Sequence, residues 1–109
     1  MWLLNNHKIE GLLGLCMRAG ELCFGTDACL DLIQKKKAKL VIVANDAADR
    51  TKKNFEIACN KNQIPICVYG NIDDLSRAIG KPNKAVYAIK NQNFALEIRK
   101  IINGGEIIG

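Results

Sequence analysis

The five consecutive apolar residues Leu40-Val41-Ile42-Val43-Ala44 constrain this chain more than any other stretch. The run is too short for a buried helix and is rich in β-branched side chains, so it reads as a strand. Alternate side chains of a strand point to opposite faces. Here both sets are apolar, so both faces of the sheet must be covered, which calls for helices on either side.

The rest of the pattern supplies those helices. Ile9, Leu12, Leu13 and Cys16 recur at helical spacing, which predicts a first helix from about Asn5 to Ala19, before Gly20. Leu22-Cys23-Phe24 is a very short strand, and Gly25-Thr26-Asp27 turns into a second helix, with Thr26 as its cap and Asp27 suited to its first turn. Cys29, Leu32 and Ile33 form the inner face of that helix. Asn45-Asp46-Ala47-Ala48-Asp49 is a polar loop, and Asp49 or Thr51 starts a third helix that buries Phe55, Ala58 and Cys59. Pro65 stands at the entrance to a strand over Ile66 to Tyr69, where its missing donor costs least. A short helix over Asn71 to Ile79 stops at Gly80, and Lys81-Pro82-Asn83 forms a turn. Ala85 to Ile89 is the last strand, and Asn91 opens a final helix that Gly104-Gly105 is expected to end.

This alternation predicts a three-layer α/β/α sandwich with a central four-stranded mixed sheet and about five helices. The 109 residues fit one domain, 1–109, with 104–109 as a loose or docked tail. Trp2 is expected to cover the base of the domain.

Several function classes lose their footing on composition. No apolar stretch approaches the roughly 20 residues that cross a bilayer, and the start Met-Trp-Leu-Leu-Asn-Asn-His lacks a cleavage-site pattern, so a cytoplasmic, non-membrane protein is expected. The five cysteines are odd in number and contain no Cys-x-x-Cys pair; they read as small buried hydrophobes in a reducing compartment. The single histidine, His7, has no nucleophile arranged beside it in sequence. Asp46 and Asp49 read as acceptors of loop amides or helix caps before metal ligands. Gly11 and Gly14 fall inside an apolar helical pattern and are expected to permit close packing, not to cradle phosphate. No catalytic residue, metal or cofactor is expected.

What remains is charge. The formal net charge is +5; residues 35–53 hold Lys35, Lys36, Lys37, Lys39, Arg50, Lys52 and Lys53 against Asp46 and Asp49, and carry the whole excess. A concentrated positive field beside helix ends suits a phosphate backbone. The candidate RNA-binding set is therefore Arg18, Gly25, Thr26, Asp27, Lys35, Lys36, Lys37, Asp46, Arg50, Lys52, Lys53, Lys81 and Lys84. Gly25 permits close backbone approach, Thr26 donates, Asp27 accepts, and the Arg18 fork suits phosphate or a guanine edge. No aromatic platform pattern is present, so structured or kinked RNA fits better than an unstructured strand. The alternative is a protein-interaction module on the same fold. For the RNA reading, the basic segments 35–53 and 80–84 should converge on the side that carries Gly25.

A set of short words in fixed order adds a family resemblance: Leu12-Leu-Gly-Leu-Cys-Met-Arg-Ala-Gly20, Gly25-Thr26, Ala38-Lys-Leu-Val-Ile-Val-Ala44, Asp46-Ala47, Thr51-Lys-Lys53, Ile64-Pro65 and Ala78-Ile-Gly-Lys81. Over about residues 8 to 90 the chain resembles the bacterial YlxQ-like branch of the ribosomal protein family that includes the archaeal and eukaryotic kink-turn binders. The resemblance implies the α/β/α sandwich and binding to kink-turn or related internal-loop RNA in a ribosomal or ribonucleoprotein setting; apart from it, a monomer is favoured. In the strong binders the second helix begins Gly-x-Asn-Glu-x-x-Lys; here Gly25 matches, while Asp27, Ala28 and Asp31 stand at the Asn, Glu and Lys positions. An acidic residue common in the loop after the central strand is Ala48 here. Asp27 keeps an acceptor but loses the amide donor, Ala28 reads nothing, and Asp31 replaces a cation with an anion. Weakened or altered kink-turn affinity, with a larger nonspecific share from lysine and arginine, is the expectation.

Overall fold

A computed structural model describes the backbone of residues 2–107 and the side chains of residues 8–102. Its elements in chain order are α1 (Trp2–Arg18), β1 (Leu22–Phe24), α2 (Thr26–Gln34), β2 (Leu40–Val43), α3 (Asp49–Asn62), β3 (Ile66–Val68), α4 (Ile72–Ile79), β4 (Val86–Ile89) and α5 (Gln92–Ile107). The four strands form one sheet in the order β1-β4-β2-β3. β4 runs antiparallel to both β1 and β2, with Cys23 and Val41 opposite Ala88, and β2 runs parallel to β3, with Ile42 opposite Cys67. The sheet is mixed and four-stranded, as the sequence predicts.

The apolar run sorts its side chains as its composition requires. Leu40, Ile42 and Ala44, with Tyr87 and Ile89 of β4, pack under Ile9, Leu13, Cys16, Leu75, Ile79, Ala95 and Ile98, so α1, α4 and α5 cover one face. Val41 and Val43, with Val86 and Ala88, pack under Cys29, Leu32, Ile33, Phe55 and Cys59, so α2 and α3 cover the other. Every residue of β2 and β4 is buried. Two helix layers therefore sandwich the sheet because both inner strands carry apolar residues at every position.

Local signals set most boundaries. The Asn71 side chain accepts from the Asp74 N–H at 2.8 Å and starts α4, and Gly80, at φ 74°, ends it. Asn91 caps α5 by accepting from the N–H groups of Asn93 and Phe94 at 2.8 and 3.1 Å. Asn83 takes the left-handed φ of 52° that its turn needs. Four expectations fail. Thr26 does not cap α2: Gly25 occupies the cap position with no side-chain cap bond, and Thr26 is the first helical residue. α1 begins at Trp2, before Asn5. α5 continues through Gly104 and Gly105 to Ile107, so paired glycines lower helix propensity there without ending the helix. The expectations for the Trp2 and His7 side chains fall outside the described residues, as do those for the side chains of the 104–109 tail.

The fourth failure separates the two glycines of α1. A Cβ on Gly14 would lie 3.1 Å from the Ala78 carbonyl oxygen, so Gly14 does permit close approach of α1 and α4. A Cβ on Gly11 would meet nothing within 4 Å. Gly11 is thus a solvent-exposed helix glycine with no packing reason, and Gly11→Ala is expected to stabilise the fold by about 0.5–1 kcal/mol. Thermal denaturation followed by circular dichroism should show a midpoint raised by a few degrees.

Candidate nucleic-acid interface

Because β4 is antiparallel to its neighbours, the sheet gathers at one end the exits of β1, β2 and β3 and the entrance of β4. Backbone bonds tie these segments together. The Gly25 N–H donates to Val86 O (3.0 Å), Ala44 N–H to Ala85 O (2.9 Å), and Asn45 N–H to Gly70 O (2.7 Å). Gly25 takes φ 90°, a conformation side chains rarely adopt, and delivers the chain from β1 directly into α2. Thr26, Asp27 and Ala28 are consequently exposed on the first turn of α2, with free helix amides beside them.

The turn before β4 is fixed against this start. The Lys84 N–H donates to Ser76 Oγ at 2.8 Å, and the Tyr87 hydroxyl donates to Lys84 O. Ser76 and Tyr87 are both buried. Burial raises the Tyr87 hydroxyl's pKa, the Ser76 hydrogen bond opposing it, and the phenol remains a donor at neutral pH. The turn's side chains then fold over β1: Lys81 Nζ lies 5.9 Å and Lys84 Nζ 5.3 Å from the centroid of the Phe24 ring. Sequence alone places Lys81 and Lys84 more than fifty residues from Gly25; the fold puts them beside it.

The remaining candidates divide between the two ends of the sheet. Asp46 is at the Gly25 end, where its Oδ1 accepts from the Ile72 N–H at 2.9 Å and so caps α4, the role its loop position favours. Arg50, Lys52 and Lys53 lie in the first turns of α3 at the same end, laterally displaced toward β3, where Lys52 and Lys53 border a cleft of about 370 Å³ with Val43, Ile66 and Val68. β1 and β3 stand three strand spacings apart, about 14 Å. Arg18 and Lys35–Lys37 are at the opposite end. There Lys39 N–H donates to Ile89 O (2.7 Å) and Lys90 N–H to Glu21 O (2.8 Å), bonds that mark the entrances of β1 and β2 and the exit of β4. α2 itself, nine residues long, separates Lys35 from Gly25 by about 13 Å. Of residues 35–53, Arg50, Lys52 and Lys53 therefore share the Gly25 end of the sheet without meeting Gly25, and Lys35, Lys36 and Lys37 lie at the opposite end. A helix that starts at one end of a sheet must finish at the other.

Comparison with known proteins decides the family. Residues 7–98 match the model of the Ribosomal protein L7Ae/L30e/S12e/Gadd45 family. This chain belongs to that family. Within the family it is 36% identical over 100 residues to the RNA-binding protein YlxQ of Enterococcus faecium, covering 92% of this chain and 96% of the relative. It is 33% identical to the RNA-binding protein YlxQ of Bacillus subtilis, covering 84% and 92%. A solved structure of a protein with unknown function from Bacillus halodurans C, 36% identical, superposes with a TM-score of 0.85 over 88% of this chain and 97% of that one. The 15.5kD RNA binding protein of Giardia lamblia shares the fold at a TM-score of 0.76 and 22% identity, over 96% and 90%.

Gly25 is followed on α2 by Asp27, Ala28 and Asp31. Asp31 is exposed and pairs with Lys35 at 3.0 Å, one turn later on the helix. The pair offsets the charge locally and also occupies one of the lysines of the basic segment. Two residues of the site escape sequence reading. Ser76, buried within the apolar stripe of Leu75 and Ile79, is flagged only as a polar residue on an otherwise apolar face. Phe24 reads as an ordinary strand residue, and nothing in the linear pattern announces the lysines above it. Among the described residues, no group of three or more His, Cys, Asp or Glu side chains is placed to hold a metal ion, and no helix is long and apolar enough to cross a membrane.

Proposed function

We propose that the protein is a non-catalytic binder of structured RNA in the cytoplasm, acting in a ribosomal or ribonucleoprotein setting, and that its target is a kink-turn or related internal loop. The observation that carries this reading is the juxtaposition of Lys81 and Lys84 with the Gly25–Asp27 start of α2. A glycine that lets an RNA backbone approach, exposed helix amides, an acceptor at Asp27 and two fixed cations occupy one end of the sheet. The names of the YlxQ relatives support the same class of ligand. Phosphate contacts from Lys81, Lys84, Arg50, Lys52 and Lys53 position the RNA, and Thr26 with Asp27 reads base edges.

A titration with kink-turn RNA and with a duplex of equal length lacking the bulge, across a salt series, tests this. Preference for the kink-turn that survives near-physiological salt is the expected result, with affinity carried by a steep salt dependence because Ala28 and Asp31 contribute no base reading or cation. Restoring the family pattern by the double substitution Ala28→Glu and Asp31→Lys should tighten kink-turn binding by about tenfold, the equivalent of one good polar contact of roughly 1.4 kcal/mol. Equal, steeply salt-dependent binding to both RNAs would leave only nonspecific attraction. Absence of binding to either would favour a protein-interaction role, for which Leu15, Ile57, Val68 and Leu96 are exposed apolar side chains among the described residues.

A further inference from the structure

We infer that Phe24 is a positioning residue of the RNA interface: its ring holds the ammonium groups of Lys81 and Lys84 at the start of α2, ready for the RNA backbone. The inference rests on the RNA reading above and adds to it a residue that contacts RNA only through others. Three observations converge. Both ammoniums lie within cation–π range of the one ring, at 5.9 and 5.3 Å from its centroid. Among the described residues, neither lysine has a carboxylate within 4.0 Å, the ion pairs being Lys35–Asp31, Arg77–Asp74 and Lys100–Glu97. The ring is partly buried and packs against the core cluster on the α1, α4 and α5 face of the sheet, and Phe24 is in register with Tyr87.

The backbone of Lys84 is held at both its N–H and its carbonyl, by Ser76 and Tyr87, and the Lys81 N–H donates to Ser76 O at 3.1 Å. With the backbone fixed and the ends of the side chains drawn to one ring, these two lysines lose much of their freedom before RNA arrives. Prior ordering lowers the entropic cost of binding. Two ammoniums drawn to one ring also repel each other, so an incoming anion relieves the arrangement as it binds. An apolar side chain of similar size at position 24 would fill the same volume and lack the ring quadrupole that attracts cations.

The test is a double-mutant cycle read with kink-turn RNA near 0.15 M salt, supported by proton NMR of the free protein. Phe24→Leu should raise the Kd about five- to tenfold, roughly the value of one phosphate contact at that salt, and Phe24→Tyr should restore it. In a Lys81→Gln/Lys84→Gln background, Phe24→Leu should change the Kd less than about twofold, because the residues it acts through are gone. In the free protein, the ε-methylene protons of both lysines should be shifted upfield by the ring and return to ordinary positions in Phe24→Leu. Should Phe24→Leu fail to fold, the lysine shifts in the unaltered protein, together with binding by Phe24→Tyr, still decide the matter. An equal loss in both backgrounds would make Phe24 a packing residue only. Unshifted lysine methylenes, or an unchanged Kd in Phe24→Leu, would overturn the inference with the RNA reading intact. If the unaltered protein binds no RNA while the lysines remain shifted, the RNA reading fails and this role falls with it.

Discussion

Replacing Lys81 and Lys84 together by glutamate is expected to weaken binding to kink-turn RNA by about two orders of magnitude near 0.15 M salt. Each phosphate that a lysine neutralises releases condensed counterion, and at that salt the release is worth about fivefold in affinity per contact. Loss of two contacts accounts for about thirtyfold, and repulsion from the two new carboxylates supplies the remainder. The matching reversal of Lys35 and Lys37, at the far end of α2, should cost less than about threefold. Lys35 already pairs with Asp31, and the segment is separated from Gly25 by the length of the helix. Composition treats these lysines alike, whereas the fold assigns them to opposite ends of the sheet. Filter binding or fluorescence anisotropy on the two double variants, with circular dichroism to verify folding, measures the difference. Equal losses would mean that RNA follows net charge and not the Gly25 end.

Raising the pH from 8 to 10 under reducing conditions should remove several kcal/mol of folding stability. Cys16, Cys29 and Cys59 are fully buried free thiols. Burial pushes Cys16 and Cys29 up from 9.0 to about 12 and Cys59 to about 11, and it raises the partly exposed Cys67 to about 12 against the opposing charge of Arg99. For Cys16 the carboxylate of Glu21 adds to the rise, and nearby Lys90 opposes it. Below pH 9 folded and unfolded chains both keep these protons, and the burial contributes in full. Above pH 9 the unfolded chain releases protons that the folded chain retains, so stability falls until the native thiols themselves titrate near pH 11 to 12. Each thiol loses on the order of 1 kcal/mol by one unit above its unfolded pKa, and together they lose several kcal/mol, a large part of the roughly 5–15 kcal/mol available to a small domain. Urea denaturation at pH 8, 9 and 10 should show midpoints that fall steeply, and Cys29→Ala/Cys59→Ala should flatten the decline even though it lowers stability at pH 8. A midpoint independent of pH over this range would show that the thiols are not held protonated by the fold.

The parts of the fold that were legible in the sequence were those set by local chemistry. A run of apolar β-branched residues at 40–44 dictates a strand buried on both faces, and the helical stripes through Ile9, Leu13 and Cys16 and through Phe55 and Cys59 supply its covers. Asn71, Gly80, Asn83 and Asn91 act where their backbone chemistry predicts. Thr26 misleads because a glycine can enter a helix without a side-chain cap, and Gly104-Gly105 because glycine weakens a helix without breaking it. The candidate interface was legible only in pieces. Gly25, Thr26 and Asp27 are adjacent in sequence, but their partnership with Lys81 and Lys84 depends on β1 pairing antiparallel to β4, which periodicity does not encode. The basic run 35–53 looks like one patch because sequence proximity conceals a strand that crosses the whole sheet between Lys37 and Asp49.

The central claim is that one end of the sheet reads RNA, and amide chemical-shift mapping during titration with kink-turn RNA tests it most directly. Isotope-labelled protein should show its largest perturbations at Gly25 to Ala28, in the 45–48 loop and from Lys81 to Lys84, with residues 18–21 and 35–39 nearly unmoved. Perturbations centred on 18–21 and 35–39, with the Gly25 end silent, would contradict the account.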